Sequence, residues 1–145
     1  TLAIWMGLQP GVCTMSRSCG HAGVMEFNGD VYSCDHFVFP EFKLGNIHTQ
    51  TLTEMMYGER QAAFGRMKHE SLPMQCKECE FLFACNGECL KNRFCRTSSG
   101  EEGLNYLCRG YYRFFKHVAP YMDYMKNELM HERAPANVMH MVNKS

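Results

Sequence analysis

Nine cysteines carry the chemistry open to this chain, and their spacing is uneven. Cys13 and Cys19 are six residues apart, and Cys34 follows fifteen later. After a long gap comes the compact run Cys76-x2-Cys79-x5-Cys85-x3-Cys89, with Cys108 nineteen residues beyond it. Eight of the nine can form two sets of four. Four thiolates complete either a zinc site or an iron-sulfur cluster, since both want soft anionic sulfur in a roughly tetrahedral array. The short run leans toward iron, because two-cluster ferredoxins use a run of four whose last member serves the other cluster. Here one gap is longer, and zinc stays a competitor. Cys95 fits neither set and reads as an inert, partly buried thiol.

The rest of the composition bounds what those thiols are for. Nine cysteines in 145 residues fall below the roughly 8–10% that marks a disulfide scaffold. In a reducing compartment clustered thiols are more often metal ligands than crosslinks. Fifteen basic residues balance fifteen acidic ones, so bulk charge holds this chain neither to nucleic acid nor to an anionic membrane. The apolar stretch Leu2 to Met6 is far shorter than the ~18 residues of a membrane span, and no basic segment precedes it. These features read as a cytoplasmic protein with one domain. The chain starts at Thr1 instead of a methionine and runs at once toward ligand-like positions, which reads as part of something longer.

Several elements must bring the cysteines together. Val24 to Cys34 reads as a hairpin turned at Asn28-Gly29, because both turn residues tolerate positive φ, and the turn returns Cys34 toward the cluster. Phe37 to Asn46, broken by Pro40 and Gly45, reads as a folded loop or irregular strand. Thr51 with Glu54 fits a capping box, and Leu52, Met55, Met56, Ala63 and Met67 predict one helix running to Pro73, weakened by Gly58 and Gly65. Cys76 to Cys95 lacks periodicity, so ligation shapes its backbone. Ser98 to Gly103 reads as a polar loop. Leu104, Leu107, Cys108, Tyr111, Phe115 and Val118 predict a helix with Cys108 on its buried face, and Pro120 a second helix as its first residue. Lys126 to Arg133 reads as a solvated face, and the chain beyond Ala134 as a flexible tail.

These residues carry a resemblance. Cys19-x9-Gly29-x4-Cys34, the run Cys76-x2-Cys79-x5-Cys85-x3-Cys89 and then Cys108 resemble the SPASM pattern, an auxiliary iron-sulfur domain C-terminal to radical S-adenosylmethionine barrels. The extra Cys13, the segment Asn28-Gly29-Asp30-Val31-Tyr32-Ser33-Cys34-Asp35-His36-Phe37 and then Leu44-Gly45-Asn46-Ile47 resemble, more narrowly, the anaerobic sulfatase-maturating enzymes. The resemblance implies a small irregular α+β fold, with a β-hairpin, a cysteine-rich knuckle and flanking helices organised around two metal clusters. It divides the chain into a lead-in from a missing barrel (1–12), the SPASM domain (13–108), a C-terminal helical segment (109–133) and a tail (134–145).

It also implies the ligand sets. Cys13, Cys19, Cys34 and Cys89 would hold one [4Fe-4S] cluster, and Cys76, Cys79, Cys85 and Cys108 the other. A third cluster and S-adenosylmethionine would belong to the missing barrel. The implied reaction oxidises a sulfatase Cys or Ser to formylglycine, with the sulfatase polypeptide and an external electron donor or acceptor as partners. Asp35 would be the proton acceptor, its pKa raised by nearby cluster charge, and His36 either packs or hydrogen-bonds a cluster sulfur. The barrel's Cys-x3-Cys-x2-Cys signature is absent: after Cys85-x3-Cys89 its third position is Asn92. The piece alone is therefore not expected to turn over. The alternatives are a SPASM domain serving another peptide-modifying enzyme and a structural zinc-binding module.

Overall fold

The computed structural model describes residues 1–142. Helix α1 (Leu2–Trp5) and a 3-10 turn (Cys13–Met15) lead into strands β1 (Val24–Met25) and β2 (Asp30–Tyr32). Two further 3-10 turns (Asp35–Phe37, Pro40–Phe42) precede β3 (Lys43–Asn46). Helices α2 (Leu52–Met56), α3 (Glu59–Glu70), α4 (Met74–Lys77) and α5 (Leu82–Cys85) follow, then a 3-10 turn (Leu90–Asn92). Strands β4 (Cys95–Arg96) and β5 (Glu102–Leu104) come before the long helix α6 (Cys108–Met130). A last 3-10 turn (Pro135–Val138) and α7 (Met139–Val142) end the described chain. The result is a mixed α+β architecture. Among the described residues no helix is long and apolar enough to cross a membrane.

The hairpin forms with Val24 opposite Tyr32 and Met25 opposite Val31, and β3 adds antiparallel to β2. Of the turn pair only Gly29 takes a positive φ, 84°. Asn28 works through its side chain, its Oδ1 accepting from the Asp30 amide at 3.0 Å and its Nδ2 donating to the Asp30 carboxylate. Asp30 is nearly buried, and it is satisfied further by Lys43 at 2.5 Å and by Asn46 Nδ2 at 2.9 Å. Val31, Leu44 and Met55 form the small core behind this sheet.

The helix predicted from Thr51 to Pro73 is two helices. The capping box is present, with Thr51 Oγ1 accepting from the Glu54 amide and Glu54 Oε2 accepting from the Thr51 amide. The break falls at Gly58, which starts α3 in extended conformation, and a Cβ there would meet the Glu54 carbonyl oxygen at 2.6 Å. Gly65 stays helical, and its lack of a side chain matters in the next subsection.

Three other expectations change. Leu104 belongs to β5, which pairs with β4, so the polar loop is the tip of a second hairpin and the helix starts only at Cys108. The two helices predicted around Pro120 are one, since Tyr111, Phe115, Val118, Ala119 and Met122 pack on a common core with Trp5, Phe81 and Ala84. That shared burial outweighs the local break at proline. Trp5 is thus a core residue within the stretch read as lead-in, and its Nε1 donates to Asp123 Oδ1 at 3.1 Å.

The expected tail is also ordered in part. Glu128, in the stretch read as a solvated face, is 4% exposed; it accepts from Arg133 and from Asn137 Nδ2 at 2.6 Å, which docks the turn Pro135–Val138 on α6. The last part of the tail, residues 143–145, lies outside the described residues. Trp5→Ala removes a buried indole and its hydrogen bond, and is expected to cost about 3–5 kcal/mol in equilibrium denaturation. An unchanged midpoint would mean that α1 does not anchor α6.

Candidate metal centre

Eight cysteines fall into two groups by proximity. Cys19 lies within electrostatic reach of Cys13, Cys89 and Cys34. Cys76 is similarly close to Cys79, Cys85 and Cys108. Cys95 belongs to neither group and sits in β4 opposite Leu104.

One face of α3 assembles the first group. Gln61, Gly65 and Lys68 fall four and three residues apart, so they line one side of the helix. Gln61 Nε2 donates to the carbonyls of Gly20 at 2.9 Å and Ser33 at 3.1 Å, tying the loop after Cys19 to the strand end before Cys34. The Gly65 carbonyl accepts from the Cys19 amide at 3.2 Å. A Cβ at Gly65 would meet the Cys19 carbonyl oxygen at 2.9 Å, so only glycine lets the loop lie against the helix. Lys68, with no exposed surface, donates to the carbonyls of Cys13 and Thr14, each at 2.8 Å. Three distant stretches are thereby fixed to one helix. Beside them, Phe37, Phe42 and Phe64 meet edge-to-face with centroids 4.8–5.6 Å apart, holding the turn after Cys34.

The second group lines a cavity of about 420 Å³, which all four of its thiols border together with Phe81, Tyr111 and Phe115. Cys76 comes from α4 and Cys85 from α5; Cys108 opens α6. Cys79 Sγ accepts from the Phe81 amide at 3.4 Å.

Between the groups runs the three-residue link from Cys85 to Cys89, in which Asn86, Gly87 and Glu88 all have positive φ, at 47°, 70° and 57°. The Glu88 carboxylate is buried and accepts from Asn92 and Asn105 Nδ2.

Burial is the first cause raising the thiols of Cys19, Cys34, Cys76, Cys85, Cys89 and Cys108. Cys34 and Cys76 are each pushed up to about 11. Neighbouring thiolates add to this, whereas Lys68 and Arg93 oppose it at Cys19. Asp35 is exposed on the turn after Cys34. Its carboxyl is held below the usual range, first by the Cys34 thiol, which donates to Oδ1 at 3.2 Å, and then by His36. That direction is opposite to the one anticipated beside a negative cluster, and its main cause is a thiol proton that ligation removes. His36 Nδ1 lies 3.4 Å from Cys89 Sγ.

The spacing of the sulfurs bears on what they can hold. Four thiolates at 2.3 Å from one zinc lie about 3.8 Å from each other in a tetrahedron. Among the described residues the only His, Cys, Asp or Glu trio with ligand atoms within 4.8 Å is Cys34, Asp35 and His36. Two groups of four thiols can each take a zinc ion, or a larger inorganic body with several metal atoms, each taking one sulfur.

The chain matches the family model SPASM, described as an iron-sulfur cluster-binding domain, over residues 13–80. It is 76% identical over 139 residues to a serine-type anaerobic sulfatase-maturating enzyme of Bacteroides thetaiotaomicron, covering 96% of this chain and 34% of the relative. A cysteine-type anaerobic sulfatase-maturating enzyme of Clostridium perfringens is 31% identical over 117 residues, covering 81% of this chain and 31% of the relative. The solved structure of native anSMEcpe with bound AdoMet and Kp18Cys peptide superposes with a TM-score of 0.71 at 28% identity, over 87% of this chain and 34% of that one. The chain thus spans about a third of the length of the curated relatives it matches.

Raised thiol pKa values mean that protons compete with metal, so metal uptake should release protons and tighten with rising pH. In the metal-free protein, alkylation of Cys34 and Cys76 followed by mass spectrometry is expected to reach its half-point near pH 11 instead of near 9.0. Half-points near 9.0 would show these two thiols to be solvated.

Proposed function

Because the chain carries the SPASM domain of the anaerobic sulfatase-maturating enzymes, a radical S-adenosylmethionine family, we propose that it is the auxiliary-cluster segment of such an enzyme. In this reading Cys13, Cys19, Cys34 and Cys89 hold one [4Fe-4S] cluster, and Cys76, Cys79, Cys85 and Cys108 hold a second. The observation that carries it is the gathering of eight thiols from separate elements into two groups of four, in the pattern of an iron-sulfur cluster-binding domain. When bound, such clusters accept and pass on single electrons. Every ligand position is a cysteine, so no iron is left open for a substrate. Residues 1–12 then lead in from a barrel that binds S-adenosylmethionine and a third cluster, and this segment alone does not turn over.

The proposed substrate is a sulfatase polypeptide whose Ser or Cys becomes formylglycine. The 76% identity to a serine-type relative favours serine. Oxidation removes a hydrogen atom, to be taken by a radical formed in the barrel, and then one electron and one proton, which gives the aldehyde directly from Ser and a thioaldehyde from Cys that water hydrolyses to the aldehyde with release of hydrogen sulfide. Asp35 takes that proton: it is exposed and adjacent to Cys34. An external carrier takes the electron, and the protein works in the cytoplasm, where thiols stay reduced.

Anaerobic reconstitution is expected to give a brown protein with about eight iron and eight sulfide in these two sites. A colourless protein holding zinc would replace this reading with that of a structural module. In the full-length enzyme, Asp35→Asn is expected to keep both clusters and lower product formation about 10²–10⁴-fold, since a general base is removed and no ligand is touched. Undiminished turnover would take Asp35 out of the mechanism. Competing Ser and Cys sulfatase peptides against an unrelated peptide reads out the substrate class.

A further inference from the structure

Arg93 is 9% exposed, and its guanidinium is wrapped in backbone carbonyls. Nε donates to Gly87 O at 2.9 Å, Nη2 to Asn86 O at 2.7 Å and Glu88 O at 3.2 Å, and Nη1 to Lys68 O at 2.6 Å. Three of these acceptors are the successive left-handed residues that link Cys85 to Cys89. Gly87 is open for this purpose, because a Cβ there would lie 2.5 Å from Nη2 and 2.7 Å from Cζ. Such a run of left-handed residues points consecutive carbonyls at one donor, and a planar fork with five N–H groups can meet them all.

The charge of that fork lacks the usual partner. Among the described residues no carboxylate comes within 4.0 Å of Arg93 or of Lys68. A buried cation without an anion is costly, so something else must balance it. The groups in electrostatic reach of Arg93 are thiols of both sets, which become anionic on ligation: Cys76 and Cys85 on one side, Cys19 and Cys89 on the other. Lys68, the other buried cation among the described residues, faces Cys13, Cys19 and Cys89 of one group only.

We propose that Arg93 is a positioning residue shared by the two metal sites: it fixes the Cys85–Cys89 link so that its ends face different clusters, and it supplies both with one counter-charge. This rests on the two-cluster reading. Four thiolates around a four-iron core leave each cluster negative, and reduction adds one more negative charge. A fixed positive charge between them favours the reduced form of each and draws their potentials upward together.

The test is a redox titration followed by electron paramagnetic resonance on the anaerobically reconstituted full-length protein, with iron analysis alongside. In Arg93→Met both auxiliary clusters are expected to become harder to reduce, each equilibrium shifting about tenfold, or about 59 mV for one electron. Arg93→Lys keeps the charge and loses the fork, so its potentials return most of the way. Wild-type potentials in Arg93→Met, a shift at one cluster alone, or a lysine variant displaced as far as the methionine variant would each overturn the proposal. Should Arg93→Met hold no iron, Arg93→Lys decides. Its two clusters at near wild-type potentials, or equal loss of iron from both sites, support a shared role, and loss from one site alone overturns it. A wild-type protein that takes up no iron in these sites defeats the two-cluster reading itself, a result independent of either variant.

Discussion

Bringing negative sulfur atoms together inside a protein is opposed twice, by their mutual repulsion and by the loss of water around each. The buried side chains around the two groups answer that difficulty. Six of the grouped thiols are raised by burial before any neighbour is counted. Against this the fold sets two buried cations in direct succession, with Arg93 donating to the carbonyl of Lys68. Lys68 itself reaches the loop of Cys13. The sulfur sites and their counter-charges are thus one network.

The apolar interior is correspondingly thin. One small cluster gathers around Trp5, Phe81, Ala84 and Phe115, and another around Val31, Leu44 and Met55. Elements of two to five residues cannot bury enough surface to hold themselves. What unites them is polar: Gln61, Lys68 and Arg93 each grip carbonyls from remote stretches. Such a scaffold positions ligands well and derives much of its folding energy from what they hold.

The legible parts of the sequence were those with local causes. Gly29 turns the hairpin, Thr51 and Glu54 cap α2, and the cysteine pattern carries the family resemblance. What stayed hidden depends on partners far along the chain. Gln61 and Lys68 look like solvent-facing residues of a helix, because nothing nearby tells that Cys13, Gly20 and Ser33 will lie against them. Gly65 looks like a helix weakness until the Cys19 carbonyl is beside it. Pro120 looks like a helix start, yet the shared core with Trp5 carries α6 straight past it. Leu104 keeps helical spacing with Leu107 and Cys108 by coincidence, its backbone being claimed by Cys95 across the second hairpin. Arg93 had no local signal.

The left-handed stretch between Cys85 and Cys89 also sets where this architecture can vary in length. Two of its three residues carry side chains in a conformation that costs them about 1–2 kcal/mol each, and all three carbonyls are occupied. An added or deleted residue there would rotate one end of the link away from its cavity. At the tip of the β4–β5 hairpin the situation is reversed, for Gly100 has open space around it and Ser98 and Ser99 are exposed or nearly so. Insertions are therefore admissible at the hairpin tip and forbidden at the link, which makes the tip the natural place for such domains to diverge.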